Sequence, residues 1–488
     1  MKLLLISPNI ARPPVMPIGM RYVADAVVRA GHQVACLDLC FESPPQVSAT
    51  ITKRIRDYRP DVIGVSLRNL DVEDPDRIHR YNFAKYNLAN YNLANYSLAT
   101  YSEIGEPRPT NLDSFDATIR ACHGATSVPL VLGGAAFTLL PRQFLARYPG
   151  SVGIVGPGEV SIVRLLSALE TGADFHKTKG VVTQTSPDPA FQALELAPLP
   201  EIPDFQETAI PAYLVADGEY SIQSKRGCVF KCIHCSYPLI EGNQIRTHEP
   251  AEVARLVGKL SQGGVTRFRF VDSVFNNPVA HAVAMCESIV SLVPVPVSFT
   301  VNCSPVMFSK QLAVALKQAG CSKVIFGTDT ASERMLTIMQ KPFTKDHIRR
   351  ATEVCKGVGL YFEHHMLLGA PGETVATATE SLEFMDCLDC PVFVDLGIQV
   401  YENTGLAKML NTRPVPNNDL VPPIFIEPEI ADVLPNMIVE YCASRRNIHT
   451  FIAETEFREP NGDNDTLSPV QPLDKTTNVR SGTPALHG

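Results

Sequence analysis

The sequence predicts an α/β protein: an N-terminal doubly wound, Rossmann-like parallel sheet, then a partial (β/α)6 barrel, then a small helical C-terminal extension. Three observations predict it. Short apolar runs alternate with helix-like stretches over residues 1–185, and a parallel sheet results when every crossover is a helix. A second alternating series of six units runs over 207–405. Between the two lies a connector at 186–206 that carries Pro187, Pro189, Pro198, Pro200 and Pro203.

In the first series, Lys2–Ser7, Gln33–Asp38, Val62–Ser66, Pro129–Gly133 and Gly153–Val155 read as buried strands. Gly19–Ala30 reads as a helix closed by Gly31. Ligands of such sheets bind beyond the carboxyl ends of the strands. The segments there are Pro8–Met20, Ser66-Leu-Arg-Asn-Leu-Asp71, Gly133-Gly-Ala-Ala and Gly156-Pro-Gly-Glu159. Each glycine loop read singly is a turn; together at one edge they favour a ligand site, since glycine allows close backbone approach. Tyr81, Tyr86, Tyr91, Tyr96 and Tyr101 recur every five residues. That period fits no single helical stripe and gives too few units to stack as a β-helix. The stretch 81–105 is therefore expected as an insertion at the ligand edge, an irregular helix or a substrate contact.

The second series opens with the strand Tyr220–Ser224. Val253, Leu256, Val257 and Leu260 then share one helical face. Arg267–Val271, Val297–Asn302, Lys323–Gly327, Leu360–Leu368 and Val392–Val400 read as strands, with Ser309–Ala319 and Lys345–Lys356 among the helices between them. Residues 406–455 read as a helical extension, and 456–488, poor in apolar residues, as a disordered tail.

Composition excludes several classes. Apolar residues make up 45% of the 488, and no run reaches membrane-spanning length. Met1-Lys-Leu-Leu-Leu-Ile-Ser-Pro is too short in its apolar core for a signal peptide. Thirteen cysteines without an export signal point to a reducing, cytoplasmic setting and thiolate chemistry. A net charge of −8 gives no nucleic-acid footprint.

The loop after the first barrel strand reads Lys225-Arg-Gly-Cys-Val-Phe-Lys-Cys-Ile-His-Cys-Ser. Cys228, Cys232 and Cys235 supply three thiolates, one fewer than the irons of a [4Fe–4S] cluster, so one iron stays open to a ligand. The carboxyl ends of barrel strands are where such chemistry sits. Lys225, Arg226 and Lys231 are read either as solvated charges or as groups that favour a reduced cluster or a reductase contact. Cys387-Leu-Asp-Cys390 has metal-like spacing but lies in a helical pattern without a second pair, so it is read as packing.

Over roughly 1–405 these residues resemble the cobalamin-binding class of the radical S-adenosylmethionine superfamily, the class B methyltransferases. The resemblance implies that the open iron chelates the methionine part of S-adenosylmethionine and that an electron from the cluster frees a 5′-deoxyadenosyl radical. His234 matches the position that packs on adenine. Asp272, in Phe268-Arg-Phe-Val-Asp-Ser273, matches the acceptor for the amino group; the other reading is a helix-capping aspartate. Asp329, in Phe326-Gly-Thr-Asp, stands where many members have Glu for the ribose or methionine part. Gly369, Pro371 and Gly372, in Gly-Ala-Pro-Gly-Glu-Thr374, match the turn against adenosine; Glu373 there is read equally as closing a strand–helix unit.

For the first domain the resemblance implies cobalamin, held by Ser66, Leu67, Arg68, Asn69, Gly133, Gly134, Gly156, Gly158 and Glu159. No Asp-x-His-x-x-Gly supplies a lower ligand: Arg77 stands two before His79, and Ala121 two before His123. Arg68 is then the side chain expected nearest cobalt, with a salt bridge to Asp71 or Asp74 as the other reading. The function implied is C-methyl transfer to an unactivated carbon of a small molecule, with a flavodoxin- or ferredoxin-like electron donor. One S-adenosylmethionine would methylate the corrin and a second would start the radical. Two alternatives stay open: a non-methylating rearrangement or cyclisation, and a radical enzyme whose first domain binds substrate or partner instead of cobalamin. A methylthiotransferase is disfavoured because Cys36, Cys40 and Cys122 are scattered. The substrate is not legible; Tyr401, Glu402 and Asn403 are contributors by position.

Overall fold

The computed structural model describes residues 1–10, 14–68, 111–186, 210–216, 218–411, 420 and 422–450. Asn69, Asp71, Asp74, the tyrosine repeat, the connector from 187 to 206 and the tail lie outside the described residues. The described residues all fall within one compact unit.

The first sheet contains β1 (Lys2–Ser7), β2 (Gln33–Asp38), β3 (Val62–Ser66), β4 (Leu130–Gly133), β5 (Val152–Ile154) and β6 (Val181–Val182), in the order β2-β1-β3-β4-β5-β6. All pairs are parallel except β5 with β6. Leu3, Leu4, Leu5 and Ile6 are each at most 6% exposed. Burial on both faces explains why the strand reads as an unbroken apolar run. The strand order reverses between β1 and β3, so the crevice of a doubly wound sheet opens there. Asn9 spans it: its amide donates to Ser7 Oγ at 2.9 Å, and its carbonyl oxygen accepts from the Arg68 N–H at 2.9 Å.

The second sheet begins with β7 (Tyr220–Ile222). A short ribbon of β8 (Lys225–Arg226) and β9 (Arg246–Thr247) follows, outside that sheet. Then come β10 (Arg267–Phe270), β11 (Ser298–Cys303), β12 (Cys321–Asp329), β13 (Phe362–Leu368) and β14 (Val392–Leu396), joined in chain order by parallel pairing. Phe268, Phe270, Val324, Phe326, Phe362 and Val392 belong to one hydrophobic core.

Two departures from the sequence reading have physical causes. The strand expected over Val392–Val400 breaks at Gly397, whose φ of +77° turns the chain. Beyond it β15 (Ile398–Gln399) pairs antiparallel with β16 (Ile424–Phe425). The extension is not purely helical: it has the helix Leu434–Ala443, but β17 (Ile448–Thr450) joins β14 as a seventh strand. Among the described residues no helix is long and apolar enough to cross a membrane.

Candidate active site at the facing carboxyl edges

The cysteine loop leaves β7 and is fixed by its backbone. Gly227 has φ +94°, and a Cβ there would overlap the Gln244 carbonyl oxygen, so only glycine fits. The Gly227 N–H donates to Glu241 Oε2 at 3.0 Å and the Cys228 N–H to the Gly242 carbonyl at 3.1 Å. Ile233 anchors the far side, donating to the Met339 carbonyl and accepting from the Leu406 N–H. Cys228 is buried, Cys232 and Cys235 half-buried, and all three are free thiols. Burial raises the pKa of Cys232 and that of Cys235, the latter to about 12. Lys225 and Arg226 are 1% and 7% exposed, which removes the solvated-charge reading for both; Lys231 is exposed.

Asp329 closes β12 with φ +62°, a left-handed conformation that costs a non-glycine residue energy. Lys341 donates to its Oδ2 at 2.5 Å and to the Gly327 carbonyl at 3.0 Å, and His234 Nε2 stands 3.2 Å from the same Oδ2. Burial works against the carboxylate, but Lys341 and His234 outweigh it and hold its pKa below the usual range. Burial likewise opposes the Lys341 charge; Asp329 first, then Cys232, keep it raised. Lys341 was not singled out from the sequence. It follows Met339-Gln in a loop with no motif, and only the fold carries it between Asp329 and the thiols.

Asp272 is 0% exposed beneath the loop. It accepts from the Ser224 N–H (2.8 Å), Ser224 Oγ (2.5 Å) and the Lys225 N–H (3.1 Å). The Gly369–Gly372 turn is held from two sides. Glu373 Oε2 accepts from the Gly369 and Ala370 N–H groups at 2.6 and 3.2 Å, and Glu427 of the extension accepts from the Gly372 N–H at 2.5 Å. Glu373 Oε1 is buried without a partner, and burial raises the carboxyl pKa to about 7 against the two N–H groups.

On the first sheet, Ser66 ends β3, the fully buried Leu67 follows it, and Arg68 is exposed. Gly134 has φ +96°, and a Cβ there would overlap the Leu67 carbonyl oxygen. Gly133 instead borders open space, with nothing within 4 Å of an added Cβ. Thr138 Oγ1 donates to the Gly134 carbonyl and accepts from the Gly156 N–H at 3.0 Å, tying the β4 and β5 loops together. Gly158 opens the helix Gly158–Thr171. Glu159 turns to the β8–β9 ribbon that follows β7 and pairs with Arg226 at 2.6 Å. Other contacts join the same two edges: Gln143 donates to Glu402 at 2.9 Å, and Tyr401 enters the first sheet's core. The carboxyl end of each sheet thus faces that of the other.

The donor set, three free thiols on one loop, is of the kind that holds an iron–sulfur cluster. Among the described residues no three His, Cys, Asp or Glu side chains converge as they would on one metal ion. A cube asks for thiolates on separate irons. The three cysteines lie near enough that Cys228 adds to the raised pKa of the other two, yet none is bonded. Beside them, His234 Nδ1 is buried without a partner. The open space over Gly133 fits a ligand approaching that edge.

Comparison with known proteins adds a family. Residues 222–385 match the model of the radical SAM superfamily. The tryptophan 2-C-methyltransferase of Streptomyces laurentii is 26% identical, over 83% of this chain and 74% of that protein. The fold matches that of the radical S-adenosylmethionine methyltransferase TsrM from Kitasatospora setae, solved with cobalamin and a [4Fe–4S] cluster bound. The TM-score is 0.76 at 20% identity, covering 93% of each chain. The cobalamin-dependent radical enzyme OxsB matches with TM-score 0.65 at 13% identity, over 91% of this chain and 66% of that one.

Proposed function

We propose that this chain, whose residues 222–385 match the radical SAM superfamily, is a cobalamin-dependent C-methyltransferase acting on an unactivated carbon of a small molecule. One observation carries the proposal: the three-thiol loop sits where the carboxyl edges of a barrel sheet and a doubly wound sheet face each other. When bound, the cluster would supply the electron that cleaves S-adenosylmethionine, and the corrin would carry the methyl group.

Cys228, Cys232 and Cys235 hold the cluster in this reading. His234 packs on adenine, oriented by its contact with Asp329. Asp329, held charged by Lys341, binds the ribose or methionine part. Gly369, Pro371 and Gly372 shape the adenosine side, kept in place by Glu373 and Glu427. Asp272 acts through the Ser224–Lys225 backbone that it grips. Ser66, Leu67, Arg68, Gly133, Gly134, Gly156 and Gly158 line the corrin side, with Asn69 assigned by sequence alone. Facing edges keep water and stray hydrogen donors from a radical. A flavodoxin- or ferredoxin-like protein supplies the electron, and the setting is cytoplasmic.

The test is anaerobic reconstitution with iron, sulfide and hydroxocobalamin, followed by absorption spectra. Product analysis then uses methyl-deuterated S-adenosylmethionine, with tryptophan, named for the Streptomyces relative, as the first substrate tried. Cobalamin retained and a deuterated methyl in the product support the proposal. Deoxyadenosine without methylated product from any substrate that is turned over favours a rearrangement, and failure to retain cobalamin removes the corrin role.

A further inference from the structure

The resemblance places Glu159 beside a corrin; in the structure its carboxylate pairs with Arg226. It is 4% exposed at the side chain, and its partner Arg226, 8% exposed, stands two residues before Cys228. Arg226 Nη2 donates to Glu159 Oε1 at 2.6 Å, its Nε donates to Gln223 Oε1 at 2.8 Å, and its guanidinium lies 5.2 Å from the centre of the Tyr22 ring. Gln223 in turn donates to Glu241 Oε1 at 2.9 Å, and the other oxygen of Glu241 holds the Gly227 N–H. A buried guanidinium needs a partner, because removing one charge of such a pair strands the other in low dielectric. A planar fork also fixes direction as well as charge.

We propose that Glu159 is a positioning residue for the cysteine loop: through Arg226, Gln223 and Glu241 it sets the backbone of Gly227 and Cys228 from the first sheet. The proposal deepens the function above and rests on it only for the cluster; the loop geometry is testable without any cofactor. The first sheet then does more than present a ligand. The helix that follows its fifth strand sets the seat of the first thiol.

The experiment compares wild type, Glu159→Gln, Arg226→Gln and the double variant. Hydrogen exchange by mass spectrometry is followed in the cofactor-free full chain, and circular dichroism checks the fold. The expected result is exchange at Gly227 and Cys228 faster by about tenfold or more in each single variant, with no further gain in the double variant, as for residues acting as one unit. Glu159→Asp, which keeps the charge and shortens the reach, should fall between and serves if the glutamine variants do not fold. After reconstitution, Glu159→Gln should bind less iron and shift the paramagnetic resonance of the reduced cluster, with cobalamin retention by equilibrium dialysis unchanged. Unchanged exchange at 227–228 in Glu159→Gln and Glu159→Asp overturns the proposal, as does additivity of the two single changes. Lost cobalamin with unchanged exchange returns Glu159 to the corrin. If wild type binds no cluster, the functional reading fails, while the exchange results still decide the positioning role.

Discussion

Asp329 combines a strained backbone, a buried charge and two cationic or donor neighbours, and each explains another. A φ of +62° is retained because Lys341 and His234 hold the carboxylate where that conformation puts it. Lys341→Met should cost about 3–5 kcal/mol in chemical unfolding, because it strands a buried carboxylate. Adding Asp329→Asn should recover part of that loss. Asp329 was legible in the sequence because it ends a strand in Phe-Gly-Thr-Asp; Lys341 was not, because side chains in motif-free loops meet their partners only through the fold. Glu373 gives a pH prediction. Its folded pKa of about 7 lies above the ordinary 4.5, so the folded state binds the proton more tightly than the unfolded one. Its stabilising contribution is therefore full below about pH 4.5 and lost as pH rises through about 7. The loss is on the order of 3 kcal/mol, at ~1.4 kcal/mol per pH unit. Glu373→Gln should flatten the difference in unfolding free energy between those two pH values; an unchanged slope would place the titration elsewhere.

Among the elements, the loops gripped by backbone are the least tolerant. Gly227→Ala forces a methyl into the Gln244 carbonyl at a left-handed φ, so reconstituted protein should hold little iron while its circular dichroism stays near wild type. Gly134→Ala meets the Leu67 carbonyl in the same way and should lower the melting temperature by several degrees or more, whereas Gly133→Ala, facing open space, should not. The glycine pattern marked both positions for a ligand, and the structure separates them. Strands such as Lys2–Ser7 were readable because burial on both faces leaves an unbroken apolar run. The two-residue β6 and three-residue β17 were not, since so short a segment shows no period. Val392–Val400 was read too long because one glycine redirects an apolar run without interrupting it.

On the scale of the whole molecule, the sequence marked two sheets and their ligand edges, but not that the edges face each other. That arrangement depends on side chains far apart in the chain, such as Glu159 with Arg226 and Gln143 with Glu402. No local pattern records such pairs. Facing edges bring the two halves together around the three-thiol loop. The direct measurement compares wild type with the variant carrying Cys228→Ala, Cys232→Ala and Cys235→Ala after anaerobic reconstitution, by iron content and by consumption of S-adenosylmethionine under reducing conditions. Wild type should bind about four irons per chain and consume S-adenosylmethionine, and the variant should do neither. Undiminished consumption by the variant would contradict the assignment of these three thiols.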